Sequence, residues 1–213
     1  MNKQTEIIGI LKYGSCNINS LVNALNTISV KYEVSENIDN LKKYKKIILP
    51  GVGNMKVLTK TLIESLSLGI SNYLKNGGMV YGICLGLQML LDYSEESKAS
   101  TFGIIKGKTE PVEKLIGKKL NVNFNKLVFK KIKFENELIS KLYKGLSRDS
   151  EFYFLHSFFC QTEDENVTVI NSKIKKIEIP SLIIKNHNII GSQFHPELSK
   201  ENGLKFLKNF SEI

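Results

Sequence analysis

Met79-Val80-Tyr81-Gly82-Ile83-Cys84-Leu85-Gly86-Leu87-Gln88 joins two structural elements with no loop between them. Residues 79–83 have the continuous apolar character of a strand covered on both faces. From Leu85 to Leu91 the chain turns straight back into a helix, and a buried strand running directly into a helix belongs to a parallel βαβ unit. Gly82 and Gly86 lie two residues either side of Cys84, the spacing of the elbow G-x-nucleophile-x-G, where the absence of side chains lets strand and helix approach closely. Cys84 then projects its sulfur from a tight turn at a helix N-terminus, where the dipole and free N–H groups favour thiolate. The same five residues are equally compatible with a small buried side chain in a glycine-flanked βα turn, since cysteine is among the most often buried residue types.

Outward from this stretch, the N-terminal half repeats the strand-helix alternation. Glu6 to Lys12 reads as a strand and Tyr13 to Asn17 as a turn. Asn17 or Asn19 caps a helix carrying Leu21, Ala24, Leu25 and Ile28. Val30 to Val34 and Lys46 to Leu49 are further strands, the latter closed by Pro50-Gly51-Val52-Gly53. A helix is expected from Met55 to Lys75, with Leu58, Leu62, Leu66 and Ile70 on one face and Asn76-Gly77-Gly78 as its stop. From Phe102 to Phe194 the segments are short, β-branched or aromatic, and separated by turn residues, which predicts antiparallel strands. Lys200 to Phe210 reads as a closing helix. The expected fold class is α/β, a central, mostly parallel sheet flanked by helices with an antiparallel extension. At 213 residues it fits one domain, residues 1–213.

Composition narrows the function classes. No apolar run approaches the roughly 18 residues of a membrane span, and the N-terminus lacks the features of a signal peptide, so a cytoplasmic protein with no membrane partner is expected. Cys16, Cys84 and Cys160 are odd in number and widely spaced, and His156, His187 and His195 show no paired helical spacing, so neither a disulfide framework nor a metal site is indicated. The net charge of +9 raises nucleic-acid binding, but Arg148 is the sole arginine among 30 basic residues, and arginine is the residue favoured for bidentate phosphate and guanine recognition. No nucleic-acid partner is therefore expected. Lys114 to Lys133 holds seven lysines and no acid, either a solvated face or a docking patch for an acidic partner.

The second chemical signal is Gln193-Phe194-His195-Pro196-Glu197. A cysteine nucleophile needs a base, and that base needs an orienting carboxylate; His195 and Glu197 supply both, with Pro196 stiffening the link. Cysteine elbow and His-Pro-Glu together outweigh the buried-residue reading of Cys84. His156, beside Phe154, Phe158 and Phe159, is as readily a packed aromatic, and Cys160 in the same apolar stretch reads as core.

Gly82 to Gln88, as G-x-C-x-G-x-Q, and His195-Pro196-Glu197 resemble the class I, or triad, glutamine amidotransferases. Tyr13-Gly14, Leu49 to Gly53, Ser94 to Glu96, Gly103 to Gly107, Phe154 to Phe158 and Gly203 to Phe210 are similar, within that class, to the glutaminase subunits of imidazole glycerol phosphate synthases. The resemblance implies a flavodoxin-like α/β fold, L-glutamine as substrate, and no cofactor. It implies Cys84 as nucleophile, His195 as general acid/base and Glu197 as its orienter. Gly51, Val52 and Gly53 are then the oxyanion strand, acting with the amide of Leu85, and Gln88 and Glu96 hold the substrate. It also implies a (β/α)8-barrel cyclase/synthase subunit as partner in a heterodimer. That partner receives ammonia through a channel and makes imidazole glycerol phosphate and AICAR in histidine biosynthesis.

Two stretches depart from the family: Leu120 to Asn125 stands where Pro-His-Met-Gly-Trp-Asn is usual, and Leu198 replaces a partner-facing lysine. They keep open a paralogous subunit supplying ammonia for the amidation of a surface or nucleotide-linked sugar. A cysteine peptidase-like hydrolase is the more distant alternative; those relatives commonly place histidine directly after the cysteine, where this chain has Leu85.

Overall fold

A computed structural model describes residues 6–14, 17–51, 53–117, 123–128, 137–174 and 176–213. The first half is the alternation read from sequence with one short helix, α2, added: β1 (Ile8–Leu11), α1 (Asn19–Thr27), β2 (Tyr32–Ser35), α2 (Ile38–Leu41), β3 (Lys46–Leu49), α3 (Lys60–Lys75), β4 (Met79–Ile83) and α4 (Leu85–Met89). Then come β5 (Tyr93–Ser94), β6 (Ala99–Ser100), β7 (Gly107–Pro111), α5 (Glu113–Ile116), β8 (Asn123–Val128), α6 (Glu137–Leu142), β9 (Glu151–Phe154) and β10 (Phe158–Thr162). The chain closes with β11 (Val167–Ile174), β12 (Ile177–Lys185), β13 (Ile189–Ser192) and α7 (Lys200–Glu212).

The main sheet has the order β2-β1-β3-β4-β13-β12-β11-β8-β9. From β2 to β13 neighbouring strands are parallel, and from β13 to β9 they are antiparallel. β10, β7, β5 and β6 form a second, smaller sheet. This is the expected α/β architecture with its antiparallel extension.

The inner parallel strands β1, β3 and β4 are largely apolar because both faces are covered, whereas β2 at the sheet edge reads Tyr-Glu-Val-Ser and is only partly buried. Ile8, Ile10, Ile48, Tyr81 and Ile83 pack on one side with Leu21, Leu25, Leu142, Phe206 and Phe210 of α1, α6 and α7. Leu11, Ile47, Leu49 and Val80, the alternate positions, pack on the other with Leu66 and Ile70 of α3 and Leu87 of α4. No helix among the described residues is long and apolar enough to cross a membrane.

One helix starts later than expected. Met55–Val57 is a single 3-10 turn, capped by the Asn54 side chain accepting from the Lys56 amide at 2.8 Å. Leu58 and Thr59 are extended, and α3 begins at Lys60, where Thr59 Oγ1 accepts from the Leu62 amide at 3.2 Å. Two capping residues in succession each require extended backbone, and that breaks a helix whose apolar spacing runs on through the gap.

β4 and β13 are parallel neighbours, so their carboxyl ends lie side by side, and the Cys84 amide just past β4 donates to the Ser192 carbonyl of β13 at 2.6 Å. Ligands of open α/β sheets bind outside such carboxyl ends. The fold thus brings the elbow and the His-Pro-Glu turn to one place.

Candidate active site

Cys84 has φ +48° and ψ −100°, a conformation that non-glycine residues rarely adopt. Such a turn costs about 1–3 kcal/mol. Ile83, Leu85 and Leu87 beside it are almost wholly buried, and each contributes roughly 1.5–3 kcal/mol by that burial, so packing outweighs the strain. Three glycines make the geometry possible. A Cβ on Gly82 would lie 2.7 Å from the Gly86 backbone, one on Gly86 2.1 Å from the Leu49 carbonyl oxygen, and one on Gly51 1.7 Å from the Ile83 carbonyl oxygen. The end of β3, the turn and the first residues of α4 therefore touch backbone to backbone, with no room for side chains.

His195 reaches the sulfur from the turn after β13. Its amide donates to the Tyr153 carbonyl at 2.8 Å, and the Ser199 hydroxyl donates to the His195 carbonyl at 2.5 Å. Pro196 opens a 3-10 turn, Pro196–Leu198, that brings Glu197 behind the ring. Nδ1 lies 2.8 Å from Glu197 Oε1, both side chains being 3% exposed, and this leaves Nε2 for the Cys84 sulfur. Burial works against a charged imidazole here, but the Cys84 sulfur and the Glu197 carboxylate outweigh it and hold the His195 pKa well above its ordinary value. Glu197 Oε2 is buried and makes no hydrogen bond among the described residues, so the carboxylate is aimed at His195 through Oε1.

A cavity of about 350 Å³ opens over Cys84 and His195. Gly51, Gly53, Leu85, Gln88 and Glu96 line it. Gln88 Nε2 donates to the Phe158 carbonyl at 3.2 Å, and Glu96 Oε2 accepts from the Met55 amide at 3.3 Å. Burial raises the Glu96 pKa in spite of the Met55 amide and the nearby Lys56 charge. His156 is on the wall with Nδ1 2.8 Å from the Phe158 carbonyl. Burial pushes its pKa down to about 4, the Phe158 carbonyl opposing and His195 assisting, so at neutral pH it is an uncharged Nδ1–H donor. It stands apart from the Cys84, His195 and Glu197 relay.

Cys84, His195 and Glu197 thus converge, and Gly51, Gly53, Leu85, Gln88 and Glu96 surround them. Val52 of the expected oxyanion strand lies outside the described residues, as do Cys16 and residues 118–122 and 129–133 of the lysine-rich stretch. Residues 123–125 of the divergent segment belong to β8, paired with β9, and Leu198 lines the cavity. Cys160 is fully buried, as expected of core.

Two further residues serve the site. The Tyr13 hydroxyl donates to the Pro50 carbonyl at the start of the glycine strand. Gln193 Nε2 donates to Cys84 Sγ at 3.5 Å. A signal for Gln193 was available, because residues two apart at a strand end share a face and His195 is the second residue along.

Comparison with known proteins places the chain among relatives of known family. The model of the family "Glutamine amidotransferase class-I" matches residues 10–213. Imidazole glycerol phosphate synthase subunit HisH of Geobacillus sp. (strain WCH70) is 33% identical over 97% of this chain and 97% of its own. The HisH of Bacillus subtilis (strain 168) is 34% identical over 97% and 96%, and that of Bdellovibrio bacteriovorus 35% over 97% and 100%. Among solved structures, that of PurLQS from Thermotoga maritima superposes with a TM-score of 0.72 at 18% identity, over 98% of this chain and 99% of that one. A crystal structure of a glutamine amidotransferase gives 0.68 at 17%, over 97% and 99%. At these identities the structural matches speak for the fold alone.

Proposed function

From the premise that the chain belongs to the class-I glutamine amidotransferase family, we propose that Cys84, His195 and Glu197 are its catalytic triad and the cavity above them its glutamine site. The chain is an enzyme, the glutaminase subunit of an imidazole glycerol phosphate synthase. The observation that carries the assignment of residues is the His195 ring held between Glu197 at 2.8 Å and the Cys84 sulfur, at the floor of a cavity sized for an amino acid.

The chemistry follows from the placement. Glu96 supplies a carboxylate for the substrate's α-ammonium, and Gln88 and Gly51 to Gly53 flank the carboxamide. The Cys84 thiolate attacks the carboxamide carbon. The developing oxyanion is met by the Leu85 amide, which has no partner within the first turn of α4, together with an amide of the Gly51 to Gly53 strand; such a contact lowers a barrier by roughly 3 kcal/mol. His195, holding its proton under the influence of Glu197, gives it to the leaving nitrogen, and ammonia departs. A water molecule, deprotonated by His195, then cleaves the γ-glutamyl thioester to glutamate.

In this reading residues 1–213 act as one glutaminase unit that pairs with a (β/α)8-barrel cyclase/synthase subunit and passes ammonia to it. The changed Leu198, on the cavity wall, and the changed Leu120 to Asn125 segment favour a second reading, a paralogous subunit serving another acceptor. The two separate in reconstitution with purified subunits: activation by the organism's own histidine-pathway cyclase, with formation of imidazole glycerol phosphate, upholds the first and removes the second. Cys84→Ser, assayed for glutamate release in the active complex, is expected to lose glutaminase activity while still binding its partner; retained turnover overturns the triad.

A further inference from the structure

We propose that Gln193 is a further catalytic residue, its side-chain amide holding the Cys84 thiolate before attack, and that Cys160 is a positioning residue that keeps this amide in the donating orientation. The inference rests on Cys84 being the nucleophile.

Gln193 is completely buried, so its side-chain amide must find partners within the protein. Its backbone amide is already committed to the Ser181 carbonyl at 2.8 Å. The side chain spans the space between two sulfurs: Nε2 lies 3.5 Å from Cys84 Sγ and Oε1 3.7 Å from Cys160 Sγ. Both are hydrogen-bond lengths for an atom of sulfur's radius. The two orientations of the amide are not equivalent. Cys160 is fully buried in β10, and burial, with the nearby Cys84 charge adding to it, raises its pKa well above the ordinary thiol range. Cys160 therefore stays an S–H donor and calls for an acceptor, which Oε1 supplies. With Oε1 turned to Cys160, both amide protons are on the side of Cys84. The flipped amide would set an oxygen lone pair against a thiolate and an N–H against an S–H.

The sulfur is thus held by two donors, His195 and Gln193, each delivered by the segment that follows β13. The other titratable groups around it are Glu197 behind His195, Cys160 from β10, His156 from the turn between β9 and β10, and Glu96 after β5. Glu197 and Glu96 donate nothing to it while ionised, and His156 spends its proton on Phe158. Gln193 is the uncharged donor, so its contribution persists when His195 is deprotonated. A hydrogen bond to a charged acceptor is about twice as strong as a neutral one, and it is relinquished as the negative charge moves from sulfur to the substrate oxygen.

The test is the pH dependence of iodoacetamide alkylation at Cys84, located by peptide mapping in the full chain, alongside glutamine turnover in the active complex. Gln193→Met, close in volume and without a donor, is expected to raise the alkylation midpoint by about one pH unit and to lower kcat/KM by less than the roughly tenfold that shift represents, since part of the bond is given up as the sulfur loses its charge. Cys160→Ala is expected to move the midpoint the same way by less, and Cys160→Ser, which restores a donor, to bring it back toward wild type. A wild-type midpoint and turnover in Gln193→Met overturns the proposal. If that variant does not fold, identical midpoints in Cys160→Ala and Cys160→Ser overturn it instead. Glutamine turnover that survives complete alkylation of Cys84 removes the nucleophile assignment itself, a result distinct from an unmoved midpoint.

Discussion

Between Glu197 and the Cys84 sulfur the decisive quantity is the proton on His195. The ring is buried, which alone would expel that proton, yet the sulfur and the carboxylate together hold its pKa well above the ordinary range. The sign follows: the imidazolium needed to protonate the departing nitrogen persists as pH rises past the usual histidine value and is lost as pH passes the raised one. Glu197→Gln removes one of the two influences and is expected to move the alkaline limb of kcat/KM to lower pH, with a smaller loss at neutral pH than His195→Ala. A pH-rate profile of the two variants checks this; an alkaline limb unmoved in Glu197→Gln contradicts it. The glycines at 51, 82 and 86 belong to the same scale. Their pattern was legible in the sequence because a backbone-to-backbone contact admits no other residue, and the measured approaches of 1.7 to 2.7 Å for an added Cβ give the reason. Gln193 was less legible: its two-residue spacing puts it on the face of His195, but its partners Cys84, in the turn after β4, and Cys160, in β10, are distant in sequence and no local pattern records them.

At the scale of elements, long buried strands and amphipathic helices could be read and short pieces could not. Lys46–Leu49 and Met79–Ile83 match the sequence reading to the residue, since burial imposes apolar runs on residues 47–49 and 79–83, while buried Lys46 at the start of β3 is paired with Glu6. β5 and β6 are two residues each and α2 is four, too short to show a period of any kind. Glu96 depends on such a piece: it follows β5 and is fixed by the Met55 amide in the 3-10 turn that the expected long helix would have absorbed. Thr59 sets where α3 begins, so Thr59→Ala is expected to lower stability by about 1 kcal/mol in urea unfolding. Because the Met55 turn keeps its own Asn54 cap, the KM for glutamine is expected to change little. A variant as stable as wild type would show that the cap contributes nothing.

Over the whole molecule, the parallel half of the sheet ends at β13, and the site lies where β4 and β13 present adjacent carboxyl ends. The cavity is formed by segments distant in sequence, from Asn17 to Leu198, that meet only in the folded chain. A glutaminase without a consumer wastes its substrate, and the glycine strand that begins at Gly51 offers a backbone able to withhold an oxyanion donor. The isolated chain is therefore expected to release glutamate slowly and to accelerate by orders of magnitude with the proposed barrel partner and its acceptor bound. Full activity of the chain alone would contradict that gating.

In the proposed triad one thiol, in one strained turn, forms the γ-glutamyl thioester. Treatment of the active complex with the glutamine analogue diazo-oxo-norleucine, followed by intact-mass measurement and peptide mapping, tests it directly. A single adduct per chain is expected, located on Cys84, with glutamine protecting against it and glutaminase activity lost in proportion. An adduct on Cys16 or Cys160, or loss of activity with Cys84 unmodified, would contradict it.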